Sequence, residues 1–349
     1  MVGADIGGLG YDSKSGGQDY PDRRPVGHAA NSAAVISAAN EVAMTLAYYT
    51  HPEMLDHHPG LGHAERSERL TAVVDALDDH AGLDLARHEA PLVSVEDLLL
   101  VHPRRYVDAM LSAAPREGIV RLDEDTFLSS GSILAARRAA GAPVEAVRAV
   151  ARGETGRAFC AVRPPGHHAE PEVAMGFCVF SNVAIAARAA QAAGLPRVAV
   201  VDFDVHHGNG TQAVFEADPS LFFASIHQSP LYPGTGDPSE TGVGNIVNGT
   251  VAPMAPREQW RATFERLMSS VDAFAPDLVI ISAGFDAHAR DPLAQQLLEA
   301  QDYAWATRAV VSVANGRARG RVVSSLEGGY DLEALGRSAL AHVQALQDA

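Results

Sequence analysis

Four short polar clusters hold the residues that could do chemistry. They are Arg163-Pro164-Pro165-Gly166-His167-His168, then Asp202-Phe203-Asp204-Val205-His206-His207-Gly208-Asn209-Gly210, then Gly284-Phe285-Asp286, and last Glu327-Gly328-Gly329-Tyr330. Asp202, Asp204 and His206 alternate along a strand expected over Arg197 to Val205, so all three side chains should project from one face. Three such groups are too polar to bury unpaired, and imidazole nitrogen with carboxylate oxygen makes a good ligand set for a divalent metal. Asp286, arriving from another strand end, is the natural third ligand beside Asp204 and His206, with a fourth position left for water. A hydrogen-bonded carboxylate network without metal is the rival account of the same residues.

The pair His167-His168 follows a Pro-Pro-Gly turn that would hold it rigidly at a strand end. An imidazole titrates near neutrality, so one of the two could take a proton from an attacking water and return it to a leaving amine. Adjacent histidines are also common as plain surface or core residues. Tyr330, after two glycines that would let it swing, could donate a hydrogen bond to a developing oxyanion. A turn followed by a packed aromatic explains the same triplet.

Each cluster follows an apolar run that reads as a buried strand. The runs are Arg157 to Val162, Arg197 to Val205, Asp277 to Ser282 and Arg321 to Leu326, with two more strands expected at Met44 to Tyr49 and Leu221 to Ile226. Open parallel sheets place ligands at the C-terminal ends of their strands, which is where the clusters fall. Between the strands lie helical patterns, such as Leu70, Val73, Val74 and Leu77 on one face, with no long polar linker and no internal repeat. The fold class expected is therefore α/β, a mainly parallel sheet covered by helices. Residues 44–349 should form one domain. Residues 1–43, rich in Gly, Ala, Ser and Asp, read as a poorly ordered extension without the basic and apolar regions of a signal peptide.

Composition narrows the class of function. With 349 residues and 47% hydrophobic content the chain can bury a sizeable core, and its apolar runs are far too short to cross a bilayer. The only cysteines are Cys160 and Cys178, which excludes a disulfide framework and fits a reducing cytoplasm. A formal charge of −16 argues against a sequence-independent grip on nucleic acid and leaves cationic substrates welcome. No membrane partner is expected, and the oligomeric state is open.

Taken together, in this order and spacing, the clusters resemble the histone deacetylase and acetylpolyamine amidohydrolase family, in its class II branch with bacterial amidohydrolase relatives. The resemblance runs from about Met44 to Leu346 and includes Gly176-Phe177-Cys178. It implies the arginase-deacetylase fold, with a multi-stranded parallel sheet flanked by helices on both faces, and zinc held by Asp204, His206 and Asp286. It implies hydrolysis of an N-acetyl amide on a cationic amine. His168 would be general base and acid, His167 an electrostatic partner supported by Asp202, and Tyr330 the donor to the oxyanion. Asn209 stands where some relatives carry an aspartate behind His168, which implies a less strongly raised histidine pKa.

By the same resemblance Gly176 and Phe177 line the tunnel that admits the acetylated side chain, and Asp125 sits at the rim that meets the substrate backbone. Leu293 occupies a gatekeeping place where polyamine-preferring relatives resemble one another in carrying an acid, so acetyl-lysine is favoured over acetylpolyamines. A potassium ion held by Asp202, Asp204 and His206 with Ser225 and backbone carbonyls is implied as well. Ala64 and Ser67 depart from the family's early signature, where prolines are usual, and Arg69 either lines an acetate exit path or is a surface or helix-face arginine. Two rivals stand beside this reading. A ureohydrolase on the same fold needs a further aspartate where His288 stands, and an acetyl-lysine binding module would hold the substrate without turnover.

Overall fold

Near-continuous apolar runs such as Val198-Ala199-Val200-Val201 cannot face water on either side, so they pair with one another and are covered by helices. In the computed structural model, which describes residues 45–349, they build an eight-stranded sheet. The strands are β1 (Leu46–Thr50), β2 (Leu85–Glu89), β5 (Arg157–Cys160), β6 (Val198–Asp202), β7 (Leu221–Gln228), β8 (Ile246–Val251), β9 (Leu278–Ala283) and β10 (Val322–Leu326). The short pair β3 (Val120–Arg121) and β4 (Phe127–Leu128) forms a separate ribbon. The spatial order of the large sheet is β2-β1-β5-β10-β9-β6-β7-β8, and every pairing in it is parallel. The expected α/β architecture is the one observed. Residues 1–43, read as an extension, lie outside the described residues.

Nine helices accompany the strands among the described residues: α1 (Ser67–Asp78), α2 (Val95–Leu98), α3 (Arg104–Leu111), α4 (Ser132–Arg152), α5 (Asn182–Ala192), α6 (Asn209–Phe215), α7 (Arg257–Phe274), α8 (Ala300–Arg317) and α9 (Leu332–Asp348). Helix α5 packs against α4, α6 and α2, while α1, α9, α8 and α7 pack in succession. Leu70, Val73 and Leu77 bury the apolar face of α1 as their spacing requires. None of these helices is long and apolar enough to cross a membrane.

Sheet order explains why clusters far apart in sequence meet. The four that carry the polar residues follow β5, β6, β9 and β10, and these strands are neighbours in the order β5-β10-β9-β6. All four therefore deliver their polar residues to one edge of the sheet.

One expectation about that edge needs correction. The strand does not run on to Val205; β6 ends at Asp202, and Asp204 and His206 lie in the loop that follows. Asp202 Oδ1 accepts from the Asp204 amide at 3.0 Å, and Asp204 Oδ1 accepts from the His206 amide at 2.9 Å. Such side-chain-to-backbone bonds compete with the sheet ladder and bend the chain away from it. The three side chains accordingly do not share a strand face, and Asp202 turns toward His167 instead of toward Asp204 and His206.

Candidate metal centre and tunnel

Asp204, His206 and Asp286 converge nonetheless, and their nearest donor atoms all lie within 4.8 Å of one another. His206 Nδ1 is 3.0 Å from Asp204 Oδ1 and 3.1 Å from Asp286 Oδ2. One imidazole nitrogen carries at most one proton, which serves two buried carboxylates poorly. The remaining carboxylate oxygens are tied to the backbone: Asp204 Oδ2 accepts from the Gly328 amide and Asp286 Oδ1 from the Val205 amide, each at 2.8 Å. Burial raises the Asp286 carboxyl, and the neighbouring Asp204 raises it further. Burial also opposes the charge of His206, but Asp204 and Asp286 outweigh it and push the imidazole up to about 10. Two acids and an imidazole that together demand a positive charge, aimed at one point, fit a divalent cation.

Glycine makes this approach possible. A Cβ on Gly284 would sit 2.1 Å from Asp204 Oδ2, and one on Gly328 would sit 2.1 Å from Asp286 Oδ2. The Gly328-Gly329 pair also corrects the idea of a freely swinging Tyr330. The Gly328 amide is bound to Asp204, the Gly329 carbonyl accepts from Arg69 Nε at 2.6 Å, and the Tyr330 amide donates to Asp291 Oδ2 at 2.7 Å. The two glycines serve close packing and, at Gly329, a φ of 120°.

The paired histidines are placed in different surroundings. His167 Nδ1 meets Asp202 Oδ2 at 3.0 Å, whereas His168 Nδ1 meets the amide oxygen Asn209 Oδ1 at 2.8 Å. Burial works against the imidazolium of His167, yet the Asp204 and Asp202 carboxylates override it and push it up to about 10. For His168 burial dominates, the neighbouring His167 and His206 add to it, and the ring is held well below its ordinary value. The expectation of a merely less raised pKa at His168 is thus exceeded, because a neutral amide does not offset burial.

Above the cluster opens a cavity of about 230 Å³. Its walls include the expected Asp125, Gly176, Phe177 and Leu293, and it reaches His168, His206 and Tyr330. Phe177 holds a φ of 68°, rare for a bulky residue. Asp125 Oδ1 accepts from the Gly176 amide at 3.1 Å and Thr126 Oγ1 from the Phe177 amide at 3.0 Å, which fixes that turn. Asp125 therefore supports the wall as well as lining it. Tyr330 packs edge-on to Phe177, with the ring centroids 5.8 Å apart and the Arg69 guanidinium 4.7 Å over the phenol ring. Burial keeps the Tyr330 phenol well above its ordinary pKa, hence protonated and able to donate.

Several residues of the site were not anticipated. Leu231 and Tyr232 complete the cavity wall, and the Tyr232 ring stands edge-on to His168 with centroids 5.1 Å apart. The signal available was an apolar-aromatic pair in a proline-flanked stretch, Ser229 to Pro233, too common to single out. Glu327, wholly buried, accepts from the Gly166 and His167 amides at 2.7 and 3.2 Å and so fixes the histidine turn; burial pushes its carboxyl up to about 7. Arg69 is not on a surface. It is buried beneath Tyr330, donates to the Glu327 and Gly329 carbonyls, and pairs with Glu65, which also binds Arg163. Ser225 is buried with its hydroxyl 2.9 Å from His227 Nδ1. His288 lies outside the metal-ligand cluster, the one such group among the described residues.

The chain is similar to several known proteins. The family described as "Histone deacetylase domain" matches residues 63–346. A "Probable deacetylase" of Archaeoglobus fulgidus is 38% identical over 291 residues, covering 81% of this chain and 80% of that protein. A "Histone deacetylase-like amidohydrolase" of Pseudomonas aeruginosa is 39% identical over 279 residues, covering 77% and 73%. The crystal structure of the HDA15 HD domain superposes with a TM-score of 0.79 at 34% identity, covering 86% of this chain and 90% of that one.

Proposed function

The chain belongs to the histone deacetylase family, and from that premise we propose that it is a zinc-dependent hydrolase of acetylated amines, with acetyl-lysine in peptides or proteins as its preferred substrate. The observation that carries the reading is the convergence of Asp204, His206 and Asp286 on one point at a cavity that His168 and Tyr330 also reach. Zinc held by those three residues supplies Lewis acidity toward the acetyl carbonyl and acidifies water.

The protein's own groups do the rest. His168, uncharged because it is buried beside His167 and His206, accepts the proton of the attacking water and later delivers it to the departing amine. His167, held cationic by Asp204 and Asp202, stabilises negative charge developing nearby. The Tyr330 hydroxyl donates to the oxyanion that forms at the acetyl carbon, where a fixed donor is worth most. Phe177, Tyr232 and Leu293 give the methylenes of an extended side chain an apolar sleeve, while the chain's formal charge of −16 favours cationic substrates.

Leu293 is the reason for preferring acetyl-lysine to acetylpolyamines, since it offers a second ammonium no counter-charge. A potassium ion beside Asp202 and Ser225 belongs to the same reading. Both side chains have protein partners already, so the ion would use their remaining lone pairs and backbone carbonyls. A cytoplasmic setting belongs to it too, since both cysteines are buried free thiols.

The test is acetate release from an acetyl-lysine peptide, from acetylputrescine and from acetylspermidine. It is run before and after dialysis against a chelator, then with zinc restored and with potassium exchanged for sodium. Loss on chelation, recovery with zinc and a higher kcat/KM for the peptide are expected. Full activity in verified metal-free protein would refute the zinc assignment. Tight binding without acetate release would make the chain a binding module.

A further inference from the structure

We infer that Glu170 is a positioning residue for His168, acting through the side-chain amide of Asn209. The inference rests on the proposed role of His168 as the base. Asn209 has two ends. Its Oδ1 faces His168 Nδ1 at 2.8 Å, and its Nδ2 donates to Glu170 Oε1 at 2.8 Å, with the Met175 sulfur a second contact at 3.4 Å.

The direction of this chain follows from what each group can do. An ionised carboxylate only accepts, so the amide end facing Glu170 must be the donating NH₂. The amide oxygen is then obliged to face the imidazole, and Nδ1 must carry the proton. The lone pair of the neutral ring is left on Nε2. With Glu170 removed, either end of the amide could face His168. The flipped form would present NH₂ to Nδ1 and favour the tautomer with the wrong nitrogen protonated. Glu170 thus selects the tautomer from two hydrogen bonds away, and its charge does not touch the ring. His167, whose Nδ1 meets the Asp202 carboxylate directly, shows the contrast within the same dipeptide.

The surroundings hold both ends of the relay still. Glu170 sits in a tight turn, its amide and carbonyl paired with those of Val173. The next carbonyl, that of Pro171, is bound by His102 Nδ1 at 2.9 Å, and His102 Nε2 is in turn bound by the Ser181 amide at 3.0 Å. On the other side the Thr211 amide donates to the His167 carbonyl at 3.2 Å, clamping the start of α6 against the histidine turn. Gly210 permits that closeness, since a Cβ there would stand 2.3 Å from the Ala169 carbonyl oxygen.

The experiment is a double-mutant cycle on Glu170 and Asn209, reading kcat and KM for acetate release from a peptide with one acetyl-lysine. Metal content and the thermal transition are measured for every variant. Glu170→Ala in the wild-type background should lower kcat about tenfold with KM nearly unchanged, the low end of the cost of losing an outer hydrogen-bond partner. Asn209→Asp needs no orienting, because either oxygen accepts from Nδ1, but it sets two carboxylates against each other. In that background Glu170→Ala should therefore raise kcat.

This reversal of sign is the prediction, and a residue that merely held the turn would lower kcat in both backgrounds. Equal losses in the two backgrounds, or no loss in the first, would overturn the role given to Glu170. Glu170→Met repeats the comparison with the length of the side chain kept, should the alanine variant fold poorly. His168→Ala judges the premise separately. If it retained wild-type turnover, the base assignment itself would fall and the relay with it; if it is inactive, the cycle decides on Glu170 alone.

Discussion

Replacing Gly328 by alanine adds one methyl group between Asp204 and Asp286, the two acids of the proposed metal site. The new Cβ would lie 2.1 Å from Asp286 Oδ2 and 2.5 Å from Asp204 Oδ2, the nearer more than an ångström inside ordinary contact. The carboxylates have no easy retreat. Asp204 Oδ2 is bound to the Gly328 amide and Asp286 Oδ1 to the Val205 amide, each at 2.8 Å, and both residues are fully buried. Gly328 has no positive φ, so backbone strain contributes nothing and the whole effect falls on the ligands. Ligand distances in a working metal site tolerate about 0.2 Å, far less than the displacement needed. Zinc affinity should therefore fall by at least 10- to 100-fold, the range for disturbing ligand support, and stability by about 1–3 kcal/mol, as for overfilling a packed core. Competition with a chromogenic chelator reads the first, and thermal unfolding with and without zinc reads the second. Gly316→Ala, in α8 with nothing near its Cβ, is the control and should gain up to about 1 kcal/mol in helix propensity. Wild-type zinc affinity in the Gly328→Ala protein would refute the placement of the metal.

Three further outcomes follow from other contacts. Tyr330→Phe should keep zinc and fold but lower kcat by about 10²- to 10³-fold, the cost of a lost oxyanion donor, and an unchanged kcat would reduce Tyr330 to a packing residue. Leu293→Glu places a carboxylate at the cavity wall and should shift the ratio of kcat/KM values toward acetylspermidine; an unmoved ratio counts against Leu293 as gatekeeper. Glu65→Gln leaves the buried Arg163 and Arg69 without their shared anion and should cost roughly 3–5 kcal/mol. Burial opposes the Glu65 charge, but Arg163, His57 and Arg69 outweigh it and hold the carboxyl well below 4.5, so its contribution is complete above pH 4.5 and is lost as the pH falls through the folded value. The gap in Tm between wild type and Glu65→Gln should accordingly shrink in acid, and a gap independent of pH would contradict the pairing.

The strand ends were legible because a run such as Leu278 to Ser282 is apolar on both faces and stops abruptly at polar residues. Glycine and proline marked the turns that follow. The course of the chain from Asp202 to His206 was misread, because alternation suits a strand equally well and only the bonds from Asp202 and Asp204 to following amides show that the ladder has ended. Arg163 stood in the first polar cluster, but its pairing with Glu65 carried no signal. It joins positions 98 apart, and charged residues are ordinarily exposed.

What the sequence by itself determined is the set of donors and the sheet edge to which they are delivered. Residue type sets what an atom can bind, and unbroken apolar runs must be buried between helices, so Asp204, His206, Asp286, the His167-His168 pair and Tyr330 stood out as candidates, while the choice of His168 over His167 came from the family resemblance. Which of two adjacent histidines is cationic was decided only in the tertiary structure. His167 and His168 are the same residue in the same turn, and they differ because folding brings a carboxylate to one Nδ1 and an amide oxygen to the other. Protonation in a buried site depends on local field and desolvation, and these are set by groups tens of positions away that come into contact only when the strands take their order in the sheet.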